Sequence, residues 1–314
     1  MTHDELFAAF APQVSAPLAR LQAGKRLVHY TSAENAYKII SGQQVWLRNA
    51  LLMNDFSEIQ HGISCLQAAW SDPAGAELRD WLDDAWPGLR AEFVELYDGH
   101  INGMQVGTFM LSLSEHDDDE DELGRLSMWR AYGGDAGVAL VLNPTFALND
   151  SDEIKAYSAP VLYKSVQDFI PFFRAWVNGL TSNAEIRQVD RDLILNSLFH
   201  AFRMFVLATK HPGFHEEKEW RVFHNPNLDD GSDWLSAHVE LVGGIPQNVI
   251  KLALRDDETR GIAGVSPAGL INRVILGPSA HPVPIRQALA SAMLAAGVEE
   301  PMSKIWVSNI PLRK

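Results

Sequence analysis

The feature that most limits what this chain can fold into is the run Gly137-Val-Ala-Leu-Val-Leu142, apolar without interruption and closed by Asn143-Pro144. An amphipathic helix or a half-exposed strand would alternate, so the run predicts a buried strand, and the chain has to fold around a covered sheet. Other segments join it. Strands are predicted at 26–31, 45–47, 104–114, 161–163, 217–223, 249–254, 271–276 and 304–307, from β-branched and aromatic content. Helices are predicted at 4–21, interrupted by Pro12, after Thr31, as two or three pieces over about 58–100, across about 165–209 and at 283–296. In the 165–209 segment Leu193, Ile194, Leu198, Ala201, Phe202, Phe205 and Val206 form one apolar stripe. Strands and helices mix without a βαβ rhythm, so the class expected is α+β, a single domain over 1–314 carrying helical insertions.

Composition narrows function more than fold. With 46% hydrophobic and 21% charged residues the 314-residue chain has ordinary globular composition, and 26 basic against 40 acidic side chains give a formal charge of −14. That charge disfavours broad nucleic-acid binding, which needs a basic footprint, although a local basic groove stays open. A single cysteine, Cys65, excludes an intramolecular disulfide and points to a reducing compartment. The N-terminus lacks the basic and apolar regions of a signal peptide and no apolar run is long enough to span a bilayer, so a cytoplasmic protein without a membrane partner is expected.

The familiar catalytic signatures are missing. No phosphate-cradling glycine loop and no Gly-x-Ser-x-Gly elbow occurs. Cys65, in an Ala-rich helical segment, reads as structural, and His211 and His215 are separated by Pro212-Gly213, which spoils helical metal-ligand spacing. Glu115-His-Asp-Asp-Asp-Glu-Asp-Glu122 lacks the alternation and central Gly of a calcium loop, so a solvated loop is expected and no metal. What remains is His29 at the end of the first strand, a capping box Thr31-x-x-Glu34 after it, Tyr132 against Gly133-Gly134, and the pair Glu217 and Glu219. Alternation on a strand would put both carboxylates on one face, with Trp220 and Val222 on the other. Two such carboxylates are costly unless their face is wet or functional.

His29-Tyr-Thr31, Trp46-Leu followed by Asn54-Asp55-x-x-Glu58, Trp129-x-x-Tyr132, Gly137-Val-Ala-Leu140, Glu217-Lys-Glu-Trp-Arg221, Ile275-Leu-Gly-Pro278 and Ser308-Asn-Ile-Pro311 occur in this order over about residues 26–313. The ordered set resembles the bacterial domain-of-unknown-function family twenty-nine seventy-one. More distantly, the order of elements is similar to the ADP-ribosyltransferase fold of His-Tyr-Glu type, a split β-sheet that surrounds NAD.

That resemblance implies NAD as the substrate, no metal, and a transferase or NAD glycohydrolase, as in a toxin or phage-defence effector. His29, Tyr30, Thr31, Ser112, Ser114 and Tyr132 would line the NAD site, with Tyr132 stacking on the nicotinamide. Glu219 would hold the ribose 2′-hydroxyl and oppose the charge of the breaking glycosidic bond, while Glu217, Arg221, Asn54 and Asp55 would serve the acceptor. Tyr30 stands where many of these transferases have glycine. Two other readings are kept: a non-catalytic recognition domain on the same fold, and a metal-assisted hydrolase or nuclease using His29, the glutamate pair and the acidic loop.

Overall fold

The computed structural model describes residues 1–53, 56–149 and 151–311. Its strands, in chain order, are β1 (Arg26–Ser32), β2 (Gln44–Asn49), β3 (Phe109–His116), β4 (Gly137–Leu142), β5 (Tyr157–Pro160), β6 (Leu162–Tyr163), β7 (Thr209–Lys210), β8 (Glu219–His224), β9 (Leu235–Val242), β10 (Ile245–Ala253), β11 (Ile271–Leu276) and β12 (Ile305–Val307). Ten of them form one sheet in the order β12-β11-β4-β1-β3-β2-β10-β9, with β8 also on β3 and β5 on β8. Every pairing in this sheet is antiparallel except β11 with β12, and β6 and β7 make a separate parallel pair. The α+β class holds.

Strand β4 is buried along its whole length. Val138, Leu140 and Leu142 pack into a core that includes Leu113 and Trp220, and Ala139 and Val141 pack on the other face with Val28, Tyr30 and Trp129. Burial on both faces is why no polar residue interrupts the run.

Strand β3 organises the rest. One of its edges pairs with β8 from Phe109 to Ser114. The other edge is divided: β1 takes Ser114–His116 and β2 takes Phe109–Met110. Between them β1 and β2 part, and the sheet opens at Leu111–Leu113.

The segments read as two helical insertions form one layer. Helices Phe56–Ser71, Pro73–Ala85 and Leu89–Gly107 pack with Val166–Ser182 and Arg191–Leu207. Their shared core is aromatic: ring centroids lie 4.8 Å apart for Phe93 and Phe202, 5.2 Å for Trp176 and Phe205, and 5.5 Å for Phe169 and Phe205. Leu193 of the expected stripe is instead exposed, at the start of its helix.

Several boundaries differ from expectation. Residues 104–107 finish a helix rather than start β3, because Met104 is buried in the helical layer and its carbonyl accepts from the Thr108 hydroxyl at 2.7 Å. The cap of helix Ala33–Gly42 is Ser32, which accepts from Asn35 N, so Thr31 belongs to β1. Strands β5 and β9 were not foreseen. Strand β9 is an exposed hairpin arm turned by Gly243-Gly244, whose φ of +59° and +83° suit the tight turn.

Helix packing yields a test. A Cβ on Gly62 would sit 2.2 Å from the Val206 carbonyl oxygen, so helices Phe56–Ser71 and Arg191–Leu207 touch backbone to side-chain-free backbone. Gly62→Ala must push them apart and is expected to lower stability by about 1–3 kcal/mol. An unchanged urea midpoint would show that the contact is not tight.

Candidate active site

A cavity of about 480 Å³ occupies the opening of the sheet. It is bordered by His29, Tyr30 and Thr31 from β1, Ser112 and Ser114 from β3, Glu219 and Arg221 from β8, Glu217 before β8, and Tyr132 at the end of helix Leu126–Tyr132. The residues expected from sequence are therefore brought to one place, apart from Asn54 and Asp55, which lie outside the described residues.

The two glutamates are not strand neighbours. Glu217 closes a 3₁₀ turn, Pro212–Glu217, and Lys218 in the left-handed region at φ 45° turns the chain into β8, which starts at Glu219. Their carboxylates meet instead through Lys210 of β7, whose Nζ donates to Glu217 Oε2 at 2.7 Å and to Glu219 Oε2 at 3.2 Å. Lys210 is buried, and no local pattern in the sequence marks it.

Glu219 is held from every side. Ser112 Oγ donates to Oε1 at 2.6 Å, and Arg221, two residues along the same strand face, donates from Nε to Oε1 at 3.0 Å and from Nη2 to Oε2 at 3.2 Å. Burial raises the Glu219 carboxyl above its ordinary range, while Lys210 and Ser112 oppose the rise. Arg221 is 1% exposed and also donates to the Leu207 carbonyl at 2.6 Å, so it positions Glu219. Glu217 is more open. It accepts from the Tyr132 hydroxyl at 3.2 Å, which gives that hydroxyl a role besides any stacking of the ring.

On β1, alternation separates neighbours. The Tyr30 side chain packs edge-on against Trp129 at 4.9 Å, and its hydroxyl accepts from Arg125 N at 2.8 Å, so Tyr30 supports the start of the Tyr132 helix. His29 points into the opening, and its Nδ1 lies 3.1 Å from the Ser112 carbonyl. A carbonyl only accepts, so Nδ1 carries the proton; burial keeps the ring neutral, leaving Nε2 as an acceptor. Arg48 of β2 also borders the cavity, donating to the Leu52 carbonyl at 3.0 Å. It has no carboxylate partner among the described residues.

The acidic segment is only partly a solvated loop: Asp118, Asp119 and Glu122 are exposed, but most of its acids are paired. Asp117 pairs with Lys25 and Lys218, Asp118 and Asp121 pair with Arg26 at 2.6 and 2.9 Å, and Glu120 pairs with Arg125 at 2.8 Å. Partial burial pushes the Asp117 carboxyl up, but Lys218 and Lys25 outweigh it and hold it at about 2. The segment is tied to Lys218 and Arg125, and Arg125 in turn donates to the Glu216 carbonyl beside Glu217. Among the described residues no group of three or more His, Cys, Asp or Glu is placed to hold a metal. Cys65 does have a histidine nearby, His61 one turn earlier with Nε2 3.6 Å away, but that nitrogen also meets the Lys164 carbonyl at 2.8 Å. Burial pushes the thiol up to about 11, which leaves it protonated and unreactive at neutral pH.

Residues 128–222 match the family model described as protein of unknown function (DUF2971). The DUF2971 match starts beside Trp129 and ends in β8, so it takes in Tyr132, Glu217, Glu219 and Arg221, and leaves His29 and Ser112 outside. It is shorter than the ordered motifs over 26–313. No curated protein and no solved structure matches the chain. Among the described residues no helix is long and apolar enough to cross a membrane.

The shared cation offers a test. Lys210→Met leaves two carboxylates facing each other with less compensation, and breaking a buried pair commonly costs about 3–5 kcal/mol. The Glu219 carboxyl is already raised above 4.5 in the folded state, and losing Lys210 raises it further. The folded protein then binds the proton more tightly than the unfolded chain, so the loss of stability is full above the folded pKa and shrinks as pH falls toward 4.5. Urea melts of both proteins at pH 8 and pH 5 check this; an equal loss at the two pH values would place the cost elsewhere.

Proposed function

We propose that this protein cleaves the nicotinamide glycosidic bond of NAD, as an ADP-ribosyltransferase or NAD glycohydrolase. The observation that carries the reading is that His29, Tyr132 and the Ser112-anchored Glu219 border one cavity, where β1 and β2 part beside β3. The reading rests on an antiparallel sheet that opens beside a first-strand histidine and a late-strand glutamate.

Each group has a task in that chemistry. His29 Nε2, a neutral acceptor, takes a hydrogen bond from a ribose hydroxyl. As the bond from C1′ to nitrogen breaks, nicotinamide leaves with the electron pair and positive charge gathers on the ribose ring. A carboxylate fixed beforehand, Glu219, favours that state over the ground state. Water or an acceptor hydroxyl then attacks C1′ and gives its proton to Glu217, the more open carboxylate. Arg48, with no carboxylate partner among the described residues, suits the diphosphate. Draining or transferring from NAD fits a toxin or phage-defence role.

A second reading, a non-catalytic NAD-binding domain, is favoured by the four donor contacts on Glu219, which fill its acceptor positions. Calorimetry with NAD beside a nicotinamide-release assay separates the two: binding without release favours the second, and neither overturns both.

Glu219→Gln is expected to lower nicotinamide release by about a hundredfold or more. Wild-type turnover in a folded variant would remove Glu219 from the chemistry. Arg48→Gln is expected to raise the KM for NAD by about tenfold while sparing nicotinamide riboside, which lacks phosphate. An equal change for both substrates would deny Arg48 the diphosphate.

A further inference from the structure

A second cavity, of about 460 Å³, lies between the N-terminal helices His3–Phe10 and Pro12–Gln22 and the sheet face carrying Leu140, Leu142, Trp220 and Val222. Its walls are apolar, including Phe10, Val14 and Leu113. Polar groups gather mostly at its rim, where Asp152, Asn196 and His200 are exposed beside Phe7 and Leu193, and at His29, which borders both cavities.

Protein interiors are close-packed, and empty apolar space costs stability in proportion to its volume. Water is a poor filler here, because a buried water needs two to four polar partners and these walls supply few. An apolar cavity of roughly 150 Å³ already stays dry and takes up benzene, and this one is about three times larger. We infer that the cavity binds a single aliphatic chain whose uncharged polar end, a hydroxyl or ester, rests at the rim. An uncharged end is assigned because, among the described residues at the rim, the side chain with a full charge at neutral pH is Asp152, which repels a carboxylate. The inference is independent of NAD chemistry.

The test uses the full chain and the uncharged fluorophore N-phenyl-1-naphthylamine. Saturable enhancement at one probe per chain is expected, with displacement by 1-decanol and much weaker displacement by decanoate. Ala156→Phe fills the cavity from its buried wall and Ala147→Trp from a partly buried one, and each is expected to lower probe affinity about tenfold or more. Should Ala156→Phe fail to fold, Ala147→Trp decides, with its melting temperature measured alongside. Decanol is also expected to raise the melting temperature of the wild type and not of Ala147→Trp. No saturable enhancement, or affinity unchanged in a folded Ala147→Trp, overturns the site; decanoate competing as well as decanol overturns the uncharged end.

Discussion

Strand β3 has two edges and three partners. With β8 along one edge, β1 and β2 must divide the other, and the length between their contacts is left to neither. An unpaired backbone carbonyl in a protein interior is costly, and the Ser112 carbonyl finds its partner in His29 rather than in a strand. That one hydrogen bond sets the His29 tautomer and ties β1 across the opening to the residue whose hydroxyl holds Glu219. The cavity is thus a consequence of how the sheet is paired.

Charge is managed by the same local logic. The buried Glu219 faces Lys210 and Arg221, Lys210 also reaches the half-buried Glu217, and the ion pairs are multiply hydrogen-bonded, which is the condition under which buried charge is tolerable. Outside, the acidic segment after β3 is drawn in by Lys25, Arg26, Arg125 and Lys218. Most of its acids are matched by basic side chains, while Asp118, Asp119 and Glu122 stay exposed, so the expected solvated loop is met only in part. Through Arg125, which donates to the carbonyls of Glu115 and Glu216 at 2.9 Å, the segment joins the end of β3 to the turn carrying Glu217.

Some of the site was legible in the residues. His29 among the apolar residues of β1 and Glu219 beside Trp220 stand out because a charged or polar group beside apolar neighbours asks for a reason. Lys210, Arg48 and Tyr163, whose hydroxyl accepts from Glu219 N at 2.8 Å, were not, since each lies in a stretch that reads as ordinary loop or strand. Arg221 was visible, but its hold on Glu219 was not, because that hold follows from its burial, and burial of an arginine is decided by what packs over it. The expected alternation of Glu217 and Glu219 failed for a local reason, the left-handed backbone at Lys218, a position that carries no glycine to announce it.

The amino-acid sequence by itself determined the α+β class, the buried strand β4, the helix break at Pro12 and the paired helical segments, because periodicity and unbroken apolar runs are local signals of burial. Only the tertiary structure decided which strands share an edge, that two separate helical segments make one aromatic layer, and that Lys210 stands between two glutamates. Those outcomes rest on contacts between residues far apart in the chain, where the free energy belongs to pairs and clusters and no single stretch of sequence carries it.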